Sequence, residues 1–169
     1  MSSFVVDACS IALFQSERVS DEAGRALAAM EYLLSIGVIA LDDNDLILQE
    51  WLDTCSYANS CQLSLNDWVA DLMSSGKIKL VEMKKEQTVR SKVKTLKVPI
   101  KDQKYIYTAH SAQASAITTE DVDLHAPSCK GNHKKRIKVM KDKSGPVCRY
   151  VKKELGVLIC KLEEITDLF

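Results

Sequence analysis

The feature that most constrains this chain is a short apolar run that stops at an acid, Phe4-Val-Val-Asp7. A run of this kind reads as a strand buried on both faces, central in a parallel sheet. Small residues and a helical stretch, Ile11-Ala-Leu-Phe14, follow at once. Asp7 therefore falls at the carboxyl end of a central strand, just before a helix, the edge where open α/β sheets bind ligands. A carboxylate there costs free energy unless something cationic meets it. The plainer alternative is a helix cap, a position that favours aspartate.

The remaining chain alternates helical stretches with short apolar runs. Ser20-Asp-Glu reads as a helix start, with Ala23, Leu27, Met30 and Leu34 as its apolar stripe and Gly37 as its stop. Val38 to Leu41 is a second strand. Asp42 to Asp45 makes a turn into a helix whose buried face is Ile47, Trp51, Cys55 and Ala58, with Glu50 at the border of that face. Ser64-Leu-Asn-Asp67 matches a capping box and predicts a helix through Leu65, Val69, Leu72 and Met73 to Gly76. Ile78 to Val81 is a third strand. Residues 84–98 form a basic helical segment with a thin stripe of Val89, Val93 and Leu96, broken at Pro99. Asp102 to Ala114 is a small-residue helix, and Ala116 to Thr119 a fourth strand that runs into Glu120-Asp-Val-Asp123. A basic loop spans 130–143, Val147 to Leu155 is a helix stopped by Gly156, and Val157 to Leu162 is the last strand. This alternation predicts an α/β fold with a mainly parallel sheet.

At 169 residues the chain suits a single domain. Its six cysteines include no Cys-x-x-Cys pair, and Cys9, Cys55 and Cys160 sit in apolar patterns, as buried thiols of a reducing compartment do. The N-terminal run carries an acid and no basic region, unlike a signal peptide. The most apolar window, 26–41, contains Glu31 and is too short to span a bilayer. A cytoplasmic protein with no membrane partner is expected. The net charge of zero hides an asymmetry: residues 1–76 hold two basic residues against twelve acids, and residues 77–169 hold twenty-one against eleven. Such halves either neutralise each other or separate a cation-gathering region from one that meets an anion.

Four acids fall at comparable places: Asp7 after the first strand, Glu50 beside a core face, Asp102 at a helix start and Asp121 after the fourth strand, with Asp123 two residues on. If the first and fourth strands are neighbours, Asp7 and Asp121 lie side by side. Carboxylates gathered in a cleft repel one another, and hard oxygen donors suit Mg²⁺ or Mn²⁺. Such an ion activates water and steadies a leaving oxygen of a phosphodiester. For Asp7, Asp102 and Asp121 the competing role is helix capping; for Glu50 it is a solvated helix edge. Other chemistries find less support. There is no nucleophile elbow and no Gly-rich phosphate loop. Cys129-x₃-His133 with His125 has zinc-like spacing but no second pair. A phosphatase-like Asp-x-Asp is absent at Asp7-Ala-Cys9.

Three stretches resemble PIN-domain ribonucleases: Phe4-Val-Val-Asp7, Asp102-Gln-Lys-Tyr-Ile-Tyr-Thr-Ala109, and Ile117-Thr-Thr-Glu-Asp121-Val-Asp123. The family's helical glutamate falls on Glu50, with Glu31 as its rival. The resemblance covers about residues 3–124 plus the final strand. It implies a three-layer α/β/α PIN-like fold over residues 1–169, with the basic insertion at about 130–143 before the last helix and strand. It implies a Mg²⁺- or Mn²⁺-dependent endoribonuclease, as in VapC-type toxins, with Asp7, Glu50, Asp102 and Asp121 catalytic and Asp123 near the metal. A homodimer and an antitoxin-like protein partner are further implications. Two features depart from the pattern: Cys9 stands where the family often has a small polar residue, and the basic insertion is longer than a minimal domain requires. Lys84, Lys85, Arg90 and Lys92, with Lys134, Lys135 and Arg136, are the candidate contacts to an RNA backbone, which need charge and no particular base. Thr118 or Thr119 would orient a phosphate or water, and Tyr105, Tyr107 and His110 would stack on bases or pack in the core. The alternative function is a catalytically inactive module of the same fold that binds RNA or a protein.

Overall fold

A computed structural model of the chain describes residues 2–20, 24–55, 59–127, 129 and 132–169, with residues 59–63 described by backbone alone. In chain order the elements are β1 (Ser2–Val6), α1 (Ala8–Ser20), α2 (Arg25–Ile36), β2 (Gly37–Asp42), α3 (Leu46–Thr54), α4 (Asn59–Ser74) and β3 (Ile78–Val81). They continue with α5 (Gln87–Thr95), α6 (Gln103–Ala112), β4 (Ala116–Thr118), α7 (His133–Lys141), α8 (Pro146–Tyr150), β5 (Leu158–Cys160) and α9 (Ile165–Leu168).

The described residues form a five-stranded sheet in the order β3-β2-β1-β4-β5, every pairing parallel. The chain steps outward from β1 to β2 to β3, then crosses back to the other side of β1 for β4 and β5. Parallel crossovers are right-handed, so connections running in the two directions cover opposite faces. Burial agrees with that arrangement: Phe4, Val5 and Val6 are fully buried although neighbouring side chains point to opposite faces. On one side α1 packs against α2, α3 and α4; α6 packs against β1, β2 and β4. The fold is α/β with an all-parallel sheet, consistent with three layers, and no helix of the described residues is long and apolar enough to cross a membrane.

Several elements differ from the sequence-based expectation for local physical reasons. Ser20 ends α1 and does not open α2; its hydroxyl bonds back to the Glu17 carbonyl. The expected start at Asp21 and Glu22, with Ala23, lies outside the described residues. α2 begins after Gly24, and its Leu27 amide donates to the Glu17 carboxylate at 2.7 Å, so a side chain of the preceding helix performs the cap. A Cβ on Gly24 would fall 1.9 Å from that carboxyl carbon. The capping-box pattern at Ser64 lies inside α4, which starts at Asn59; Ser64 presents its carbonyl to Arg18. Ala58, expected on the core face of α3, lies outside the described residues. Lys84 and Lys85 precede α5, and the basic stretch expected as a loop contains α7, capped by Asn132. α8 passes into a π-helical turn over Val151–Leu155 before Gly156 stops it in the left-handed region at φ 72°. A 3-10 turn at Leu162–Glu164 and α9 follow β5, with no counterpart in the sequence reading.

Candidate functional site

The point where the strand order reverses lies between β1 and β4, and the crevice beyond the carboxyl ends of strands at such a point is where α/β sheets bind ligands. Phe4 pairs with Ala116 and Val6 with Thr118, and the ladder runs one step further through Asp7 N–H to the Thr118 carbonyl at 2.9 Å. Asp7 and Thr119 thus leave the sheet side by side. Asp7 is 5% exposed. Its Oδ2 accepts from Thr119 Oγ1 at 2.5 Å and from Cys9 Sγ at 3.0 Å. At the next strand end it is Asp42 that caps, its two oxygens accepting from the amides of Leu46 and Ile47. Cys9 joins the two strand ends, because its sulfur also accepts from the Glu120 amide at 3.1 Å. Burial, and then the Asp7 charge, push its thiol up to about 12, so it stays protonated and donates.

Asp102 sits at the N-terminal boundary of α6 without capping it. The residue is 3% exposed, and its Oδ2 is buried with no hydrogen-bond partner. Burial raises its pKa to about 6; Lys101 opposes the rise, while Asp121, Asp7 and Glu50 add to it. Asp102 therefore feels the charge of the three acids expected to converge with it. Lys101 is exposed, and its ammonium is held above the ordinary lysine range by Asp102 first, with Asp121, Glu50 and Asp7 contributing against a desolvation cost. Glu50, on α3, reaches the same edge because Trp51 beside it is fully buried and donates its indole N–H to the Val6 carbonyl at 3.0 Å. Glu50 Oε2 accepts from the Tyr105 hydroxyl at 2.6 Å and pairs with Lys104 Nζ at 2.5 Å. The Tyr105 oxygen in turn accepts from the Ala8 amide at 3.1 Å, and its ionisation is strongly suppressed by burial and by Asp7. Glu31 is exposed on α2 and takes no part in this group.

Asp121 is half-buried and caps the 3-10 turn Val122–Leu124, with Oδ1 accepting from the Asp123 amide at 2.9 Å. Asp123 enters through that backbone bond. Thr119 is the threonine that orients acids: its hydroxyl donates to Asp7 and accepts from the Asp121 amide. Thr118 is fully buried, its hydroxyl without a partner. Among the described residues, no three His, Cys, Asp or Glu side chains stand together as a ready metal cluster. In donor chemistry the acids still fit a hard divalent cation, since they offer carboxylate oxygens and one of these is buried and unbonded.

The expected RNA contacts divide among three surfaces. Lys85 and Arg90 line a groove of about 700 Å³ together with Lys94, Lys101, Lys104, Leu46 and Ile100. Lys101 and Lys104 connect this groove to the acids. Arg136 lines a cavity of about 550 Å³ with Cys9 and Asp121, so α7 overhangs the same edge. Lys134 and Lys135 are exposed on α7, Lys84 is exposed before α5, and Lys92 lines a separate groove with Arg149 and Tyr150. Tyr105 and Tyr107 are buried, 0% and 4% exposed, and so pack in the core instead of offering open faces to bases. His110 pairs with Glu86 at 3.4 Å. The zinc-like trio is not assembled: His125 is buried against Cys148, its Nδ1 3.1 Å from that sulfur. Lys101 and Lys104 are the site residues that sequence reasoning did not single out, and Tyr105, Thr119 and Cys9, singled out there for other reasons, act here by holding the acids. The one available signal was the pair of lysines flanking Asp102.

No family model, no curated protein and no solved structure matches this chain.

Proposed function

We propose that this protein is a Mg²⁺- or Mn²⁺-dependent endoribonuclease of the PIN-domain kind, acting at the carboxyl edge of β1 and β4. The observation that carries the reading is Asp102 Oδ2, buried and unbonded, on a carboxyl whose pKa is raised by burial and by Asp121, Asp7 and Glu50. Asp7, Glu50, Asp102 and Asp121 would hold the ion, and Asp123 supports Asp121 through its backbone. When bound, the ion supplies acidified water and positive charge for the leaving oxygen. The chain's own residues do the rest. Thr119 and Cys9 hold Asp7, Tyr105 and Lys104 hold Glu50, and Lys85, Arg90 and Lys94 hold phosphates of the strand in the adjoining groove. A cytoplasmic protein that pairs with itself or with an antitoxin-like partner belongs to the same reading.

A second reading has its own observation. Lys104 already meets Glu50, and the acids are not drawn into a ready cluster, as suits a non-catalytic module that binds RNA. Cleavage of a labelled single-stranded RNA with Mn²⁺, by wild type and Asp7→Asn in parallel, separates the two. The expected result is cleavage by wild type, lost on chelation, and reduced more than about 100-fold in the variant, since even changes to residues behind metal ligands cost 10–100-fold. Salt-sensitive RNA retention with no cleavage by wild type would establish the binding module instead.

A further inference from the structure

A cavity of about 810 Å³ lies between α5 and the helix that α8 forms with its π-helical turn. It reaches His110, in the last turn of α6, whereas Asp102 stands at the first, so it is remote from the acids. Val89, Leu96 and Leu155 supply apolar lining, with Val89 only 3% exposed. The exposed cations Lys92 and Arg149 come from its two helices. Tyr150 is half-buried, and the Lys92 ammonium stands over its ring, 6.0 Å from the centroid. The two acids of the cavity each have a basic neighbour: Glu86 Oε1 lies 3.4 Å from His110 Nε2, and Glu154 Oε1 3.8 Å from Lys153 Nζ. Lys92 and Arg149 pair with no carboxylate among the described residues. Unpaired cations beside an aromatic ring are the combination that holds single strands, the ring taking a base and the cations its phosphates. We propose that this groove is a second binding site for single-stranded RNA, with a base on the Tyr150 ring and phosphates on Lys92 and Arg149. The inference rests on RNA as the ligand in the reading above and adds the path of the strand.

That path follows from α5. Arg90 and Lys94 line the groove that also holds Lys104, while Thr88 and Lys92 line this one. Residues four apart share a helix face, so α5 is a ridge with cations on both slopes. A helix is about 10 Å across, a span that about three nucleotides cover at roughly 3.4 Å each. The far wall is shaped for contact as well. Lys153, Glu154 and Leu155 all line the cavity, although three consecutive residues sweep about 200° of an α-helix. The π-helical turn at Val151–Leu155 widens the helix at this point, and such turns are frequent at functional sites.

The test is fluorescence anisotropy of a labelled single-stranded RNA of about 16 nucleotides, the upper end of common single-strand sites. The whole chain is titrated in EDTA, which prevents metal-dependent cleavage, at several salt concentrations, with circular dichroism to check each variant's fold. Lys92→Ala/Arg149→Ala should reduce the slope of log affinity against log salt by about 1.4, or about 0.7 for each lost cation. Lys152→Ala, exposed on the same helix but outside the cavity, should leave affinity and slope unchanged within that resolution. Tyr150→Leu should bind about tenfold more weakly, as expected for losing one stacked base, and Tyr150→Phe, which keeps the ring, should bind as wild type does. Tight binding by wild type with an unaltered slope in the double variant, or unaltered affinity in Tyr150→Leu, would overturn the inference and leave the nuclease reading standing. No RNA binding by wild type would remove both. If Tyr150→Leu does not fold, the double variant decides alone, because both of its side chains are exposed.

Discussion

His125 is fully buried against Cys148, and there it shows how strongly this interior resists charge. Burial, and then Lys143, lower its pKa to about 4 from an ordinary 6.5. The folded chain therefore keeps a neutral imidazole at a pH where the unfolded chain has taken up a proton. The stability this represents is complete above about pH 6.5 and is lost as pH falls towards 4. By pH 5 the loss amounts to about 2 kcal/mol. Urea unfolding at pH 7 and pH 5 should show that loss in wild type and not in His125→Asn; equal slopes in the two proteins would refute it. Asp102 obeys the same rule with the opposite sign, since burial there favours the protonated acid. His125 has no group of like charges around it, whereas Asp102 has three, and that difference makes only the second a candidate for binding a cation.

Two helices bring their acids to the sheet edge by different means. α6 does so by its entry. The turn at Pro99 closes through the Asp102 and Gln103 amides onto the Pro99 carbonyl, and this places Asp102 at the edge with Lys101 and Lys104 on either side of it in the chain. α3 does so by anchorage. Asp42 caps its first amides, and Trp51 seats it on the end of β1. Replacing Trp51 with Phe retains most of the packing and strands the Val6 carbonyl, so stability should fall by about 1–3 kcal/mol. The denaturant midpoint should drop with the slope unchanged, and an unaltered midpoint would show that the indole bond is not what anchors α3. α8 is set by a close approach: a Cβ on Gly145 would lie 2.0 Å from the His125 carbonyl oxygen, so the chain can enter α8 at that distance only as glycine.

Across the whole molecule, the charge asymmetry of the sequence becomes a cationic groove whose Lys104 meets Glu50. Lys85, Arg90, Lys94 and Lys101 line the groove, and Lys104 lines it while pairing with Glu50. Ile100, 89% exposed, stands at the rim with Leu46 and gives the groove an apolar border. Cations that meet a single strand release its counterions, and each contributes about −0.7 to the slope of log affinity against log salt. Lys85, Arg90 and Lys94 together should supply about −2 of that slope. Filter-binding of a single-stranded RNA at several salt concentrations, for wild type and for the triple change to Ala, measures it. A variant with the wild-type slope would place the strand elsewhere, with the exposed lysines of α7 as the next surface to test.

The amino-acid sequence determined the layered class of this fold and the approximate place of most elements, because short apolar runs alternating with 3.6-residue periodicity leave few other ways to bury the chain. It also marked Asp7, Glu50, Asp102 and Asp121, since each stands at an element boundary or a core border that can be read locally. Tertiary structure alone decided which of those boundaries meet, through the pairing of β1 with β4 and the reversal of strand order between them. It also decided which acids cap and which do not. Asp42 and Asp121 accept from backbone amides while Asp102 has an unbonded oxygen, a distinction that depends on where the side chains land and not on residue type. The same holds for Glu17 capping α2, for Cys9 joining two strand ends and for Lys104 reaching Glu50. Each of these contacts joins residues brought together by a crossover or a turn, and no local pattern in a sequence encodes them.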